Sequence, residues 1–159
     1  MGEKALLAST AANLAQALYA QGRRDEAAEL GRVSEESAAE DDLLAQAAWR
    51  ALRGKLLAAH GHWQEGAALA TEAVRLAERT DFLTIHAETL LDLGAVLRQG
   101  GRSEAADAAT GDALELYLQK GDVVSAGRVR SLLGMQLRQG EDDQRPEVQH
   151  GQIQRGKAH

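Results

Sequence analysis

Three histidines, one acidic pair and two arginines are the side chains whose types and spacing point toward chemistry. His60 and His62 stand two places apart, and His86 follows one helical segment later. Imidazoles brought together would bind a metal ion. No carboxylate completes a recognised ligand spacing around them, so each reads as an exposed or interfacial polar residue and no metal is expected. Glu88 and Asp92 lie one turn apart and share a helical face. Paired carboxylates act as general acid and base where titratable groups converge in a closed cleft; this spacing is equally that of an ordinary solvated helix. The chain has no Cys, which removes thiolate ligands and Cys nucleophiles. Gly54-Lys55 is followed by Leu56 and lacks a glycine-rich lead-in, so it is not a phosphate-binding loop. A non-enzyme without cofactors is expected.

Charged recognition is the stronger theme. Arg50 and Arg53 lie one turn apart beside Trp49, and Thr89 and Asp92 hold the matching places one repeat later. An Arg53–Asp92 ion pair between neighbouring helices would fix how they stack. Alternatively Arg50, Arg53, Thr89, Asp92 and Arg128 line a groove that binds a partner's charged groups. Trp63 occupies the place held by Arg24 and Arg102 elsewhere and is expected to pack against a neighbouring hairpin.

These residues must be positioned by a repeat. QGRRDEAAE at Gln21–Glu29 returns as HGHWQEGAA at His60–Ala68 and as QGGRSEAAD at Gln99–Asp107. Gly22, Gly61 and Gly100 recur at one constant interval, and Glu26, Glu65 and Glu104 keep the same one. Such self-similarity, with a period of about 39, marks stacked helical hairpins. The spacing predicts A helices over 3–21, 43–60, 82–99 and 123–139 and B helices over 25–40, 64–80 and 103–120. Asp42, Asp81 and Asp122 precede A helices and suit N-caps, where a carboxylate accepts free backbone N–H groups. Ala27, Gly66 and Ala105 fall at matching points of the B helices and suggest close contact within each hairpin. A core of Leu14, Leu18, Leu30, Trp49, Leu52, Leu56, Leu69, Val74, Leu90, Leu93, Leu97, Leu114, Leu116 and Leu133 is expected.

The repeat fails near Gly140. The segment EDDQRPEVQHGQIQRGKAH has no helix-period apolar face and contains the single Pro, Pro146. The reading is therefore a repeat domain over 1–140, three and a half units long, and a polar disordered tail over 141–159. The last A helix lacks a B partner, so Val129, Leu132, Leu133 and Leu137 form a candidate self-association face, with a symmetric dimer as the simplest outcome.

Composition agrees with an all-α chain. Aromatic residues are only 3% of the 159, too few to cover a sheet's pleats. The net charge of −6 disfavours nucleic acid as partner, since phosphate neutralisation needs a basic face. Glu35, Glu36, Glu40, Asp41 and Asp42 hold much of that charge, on a solvated helix end and loop. No apolar run reaches the roughly 18 residues that span a bilayer. The start MGEKALLAST is a poor signal peptide, and Leu6 stands where an N-myristoylation signal needs Ser or Thr. A cytoplasmic protein without membrane contact is expected.

G-x-x-x-E-A in the turn, with small residues on both helices, resembles a tetratricopeptide repeat, although the interval from Gly22 to Gly61 exceeds the usual unit. LLASTAANLAQALYAQGRRDEAAEL, AQAAWRALRGKLLAAHG, AVRLAERTD, ETLLDLGAVLRQGGRSEAA and ALELYLQKGDVVSAGRVRSLL, in that order, resemble the C-terminal helical region of bacterial adenylate/guanylate cyclase–ATPase signalling proteins. The resemblance covers about Gly2–Leu133 and includes no cyclase or ATPase segment. It implies a right-handed α-α superhelix of about seven helices whose A helices line the concave face. It also implies a protein-interaction scaffold that binds a peptide or helix there. The rival is a ligand-sensing regulatory domain controlling an attached cyclase or transcription regulator.

Overall fold

The computed structural model describes the backbone of residues 2–143 and the side chains of residues 2–134. Seven α-helices follow one another: α1 (Gly2–Ala20), α2 (Arg24–Ser37), α3 (Leu43–Ala59), α4 (Trp63–Glu78), α5 (Leu83–Gln99), α6 (Ser103–Lys120) and α7 (Val123–Asp143). No strand occurs among the described residues. The boundaries lie close to those read from the repeat. α7, however, runs through Gly140 to Asp143, into the expected tail. Residues 144–159 lie outside the described residues.

The turns show why the glycines recur. Gly22, Gly61 and Gly101 have φ of +79°, +89° and +72°, the left-handed region that suits a residue without Cβ. In each turn the next residue's N–H reaches back to a carbonyl of the closing helix: Arg23 to Leu18 at 3.0 Å, His62 to Leu57 at 2.9 Å, Arg102 to Leu97 at 2.9 Å. The third turn residue is thus Gly101, whereas Gly100 has φ −82°. The repeat is therefore one place longer in its second step. Trp63 and Leu83, which start α4 and α5, stand one place further apart than Arg24 and Leu43, which start α2 and α3. The extra residue lies between the starts of α4 and α5.

This shift corrects the capping expectation. Asp42 accepts the Ala45 N–H at 3.0 Å, and Asp122 accepts the Ser125 N–H at 3.0 Å and the Ser125 hydroxyl at 2.8 Å. The N-cap of α5 is Phe82, which makes no side-chain cap bond. Asp81 falls one place too early.

α1, α3 and α5 each pack most closely on the even helix that follows and also form a contiguous row, while α7 packs on α6. Among the described residues, α2, α4 and α6 do not approach one another. The packing is built on alanine. Ala15, Ala27, Ala47, Ala70, Ala73, Ala77, Ala87, Ala106, Ala113 and Ala126 are fully enclosed. Leu18, Leu52, Leu56 and Leu90 are buried as expected, but Leu14 is 50% exposed. Its counterpart on α3, Arg53, is exposed as well. Trp49, Leu30, Leu69, Val74, Leu93, Leu97, Leu114, Leu116 and Leu133 are half-buried around the alanine interior. The small residue on α6 is Ala106, enclosed where Ala27 and Gly66 are, and not Ala105. Hairpin contact is tightest at Gly54 and Gly66: a Cβ on either would lie 2.7 Å and 2.5 Å from the other's carbonyl oxygen.

Candidate functional site

The row of odd helices carries a polar cluster that links all three of α1, α3 and α5. Lys55 on α3 reaches toward α5, and its Nζ lies 2.7 Å from Asp92 Oδ1. Gln16 on α1 donates to Asp92 Oδ2 at 3.2 Å, and its amide oxygen accepts from Lys55. The Lys55 ammonium also lies 4.8 Å from the centre of the Tyr19 ring, a cation–π distance. Four side chains from three successive hairpins thus satisfy one another, as a partly buried charge requires.

The expected Arg53–Asp92 pair is not the one formed. Arg53 donates to both carboxylate oxygens of Glu35 at 2.9 Å, bridging α3 to α2 at an exposed position. With the repeat one place longer in this step, Arg53 corresponds to Leu93, so its side chain points back toward α2. Lys55 sits on the face turned toward α5. The signal for the true pair was present: Gln16 and Lys55 hold matching places in successive repeats, and both interrupt an apolar stripe.

Beside this cluster lies a cleft of about 210 Å³, lined by Ser9, Asn13 and Gln16 of α1, Leu44 and Ala48 of α3, and Ile85, Glu88, Thr89 and Asp92 of α5, among others. Glu88 stands at its rim. Partial burial, reinforced by the nearby negative charge of Asp92, raises its pKa above the usual carboxylate value. Thr89 is buried, and its hydroxyl donates to the His86 carbonyl at 2.8 Å.

The other expected groove residues are dispersed. Arg50 lies over the Trp49 ring at 4.1 Å and donates to the Gln46 carbonyl at 2.8 Å. The Trp49 indole N–H donates to Gln46 Oε1 at 3.1 Å, and the Gln46 amide reaches the Ala39 carbonyl at 2.9 Å. Arg50 and Trp49 therefore brace the α2–α3 link. Arg128 is exposed on α7. Of the candidate self-association residues, Val129 is enclosed at 4% exposure and Leu133 packs on the same α5–α6–α7 cluster, so Val129 offers no surface. Leu132 is 43% exposed, and the side chain of Leu137 lies outside the described residues.

The histidines separate into local roles. His60 Nδ1 lies 2.7 Å from the Leu56 carbonyl, and His62 Nδ1 lies 3.7 Å from Glu65. Among the described residues, no three His, Asp or Glu side chains gather as metal ligands would.

A second, larger cleft of about 540 Å³ opens between α2 and α3. Leu52, Leu56, Leu57 and Trp49 form its floor, and Arg32, Glu35, Arg53, His60 and His62 stand around it. At the α4–α5 junction, Trp63 packs against the neighbouring hairpin, its ring seated on Gly100.

Comparison with protein-family models, curated proteins and solved structures finds no match. The described residues form an all-α chain of packed helical hairpins. No described helix is long and apolar enough to cross a membrane.

Proposed function

We propose that the chain is a non-catalytic protein-interaction module. In this reading it is a right-handed superhelix of tetratricopeptide-like hairpins that binds a peptide or helix along the α1–α3–α5 row. The carrying observation is the 210 Å³ cleft, because side chains from three successive odd helices line it together. A segment laid across the row would touch Asn13, Ala48 and Glu88 at once. Contact between the odd helices, without contact between the even ones, supports a row on the inner side of the curve. The Lys55–Asp92 pair holds the platform in register, and Glu88 at the rim supplies an acceptor for the guest. The cleft is open, which favours a docking groove over an enclosed sensor pocket. By sequence resemblance, the array would be a regulatory part of a bacterial signalling protein.

Selection of displayed peptides on the immobilised chain tests this reading. Enriched peptides should bind at least tenfold more weakly to Ala48→Arg, which fills the cleft, while helicity stays unchanged. Enrichment of no sequence, or of peptides indifferent to that substitution, would sink it.

A further inference from the structure

We infer that the guest of the odd-helix cleft presents an arginine side chain, its stem laid along the cleft and its guanidinium paired with Glu88. The inference rests on the docking reading above and deepens it by naming the residue that the groove selects.

The cleft is small. At about 210 Å³ it suits one long side chain rather than the body of a helix. Its floor is alanine: Ala12 and Ala51 are almost fully enclosed and Ala48 is half-buried, with Leu44 and Ile85 beside them. Such a trench accepts an unbranched aliphatic stem, whose polar head must then find partners at the edge. The lining holds two carboxylates, Glu88 and Asp92, and no Lys, Arg or His.

The two carboxylates are not equivalent. Asp92 is engaged on both oxygens, Oδ1 by Lys55 and Oδ2 by Gln16. Glu88, one turn earlier on α5, makes no hydrogen bond or ion pair among the described residues. The cations that act on it, Lys120 and Lys55, are held elsewhere, by the Thr84 hydroxyl and by Asp92. Burial and the charge of Asp92 raise the Glu88 pKa more than those two cations lower it, as befits a carboxylate short of counter-charge. A guest cation would supply that charge. Guanidinium fits better than ammonium, because its planar fork meets both oxygens of Glu88 side by side and is weakly hydrated. Its remaining N–H groups can reach the Ser9 hydroxyl and the Asn13 amide oxygen, which line the α1 side.

The test titrates the full chain, with its Ile methyl groups labelled, with the peptide acetyl-Ala-Leu-Arg-Leu-Ala-amide. The Ile85 signals should shift saturably. The same peptide with citrulline, which keeps the shape of arginine and loses its charge, should bind at least tenfold more weakly, and with lysine at least threefold. Glu88→Gln, at an exposed position, should weaken the arginine peptide at least tenfold and bring it level with the citrulline one. Suppose instead that the arginine and citrulline peptides bind equally, and that Ala48→Arg expels both. The docking reading then stands and the inference is overturned. Absence of a saturable shift with the arginine peptide also overturns it, and the displayed-peptide selection then decides the docking reading by itself.

Discussion

Lys55 and Asp92 meet at 2.7 Å across the gap between α3 and α5, and Gln16 of α1 bonds to both. Their side chains are only 11% and 19% exposed, so water screens the pair weakly. Removing one partner leaves a nearly buried charge alone. Lys55→Ala or Asp92→Ala should therefore destabilise the chain by about 2–4 kcal/mol, near the range for broken buried pairs. Lys55→Met together with Asp92→Leu should recover most of that loss. Urea denaturation checks both, and equal instability of the double variant would show that the pair does more than compensate its own burial.

The two helical glycines Gly54 and Gly111 should respond oppositely to the same change. A Cβ at Gly54 would lie 2.7 Å from the Gly66 carbonyl, a backbone atom that cannot swing aside. Gly54→Ala should cost at least about 2 kcal/mol as α3 and α4 are pushed apart. Nothing lies within 4 Å of a Cβ at Gly111, so close packing does not explain that glycine. Gly111→Ala should stabilise α6 by about 1 kcal/mol through helix propensity alone. Thermal melts of the two variants should move in opposite directions.

Ser34 is fully enclosed on α2, and its hydroxyl has no hydrogen-bond partner among the described residues. Ala73 and Ala113 hold the corresponding places on α4 and α6 and are equally enclosed. Ser34→Ala should therefore stabilise the chain by about 1 kcal/mol, since a buried hydroxyl without a partner forfeits its hydration. A lower denaturation midpoint would reveal a bond that the hydroxyl makes.

The α5 N-terminus offers a gain that α3 and α7 already have. Asp42 and Asp122 cap those helices, but Phe82 occupies the α5 position and is 57% exposed. Phe82→Asp should add a side-chain acceptor for the first turn and about 1 kcal/mol of stability. Asp81→Ala should change little. The reverse ranking in chemical denaturation would mean that Asp81 serves the helix after all.

Alkaline conditions should act through Tyr117. Burial, with the negative charges of Glu88, Asp122 and Asp92, pushes its hydroxyl up to about 12 from the usual value near 10. The folded state thus disfavours tyrosinate. Stability from the neutral ring is fully present below pH ~10 and is lost as pH rises toward 12. Tyr117→Phe should flatten the fall in melting temperature across that window. An unchanged fall would place the alkaline sensitivity elsewhere.

Much of the helix layout was legible because an echo at one constant interval sets turn and helix positions together. The echo also concealed the single added residue. In QGGRSEAAD the adjacent Gly100 and Gly101 satisfy either register, so the sequence aligns at the shorter interval while the backbone turns at the longer one. That one place accounts for the unused Asp81, for Ala106 in place of Ala105, and for the pairing of Arg53 with Glu35. Leucines dominated the expected core because they carry the strongest apolar pattern. The helices instead come together on alanines and glycines, with the larger side chains filling the edges. The cleft of the odd-helix row was only half legible: Thr89, Asp92 and Glu88 were named, while Gln16 and the α1 side of the cleft were not singled out.

An interior of methyl groups also inverts the usual mutational profile. Where large side chains fill a core, truncation is the common injury, because it leaves voids. Among the described residues, the largest side chains with exposure below 2% are Leu52 and Val96. At most interior positions there is almost nothing to truncate, and any enlargement forces two helices apart. A saturation scan of this chain should purge added volume far more strongly than lost volume, with the sharpest intolerance along the facing sides of α3 and α4.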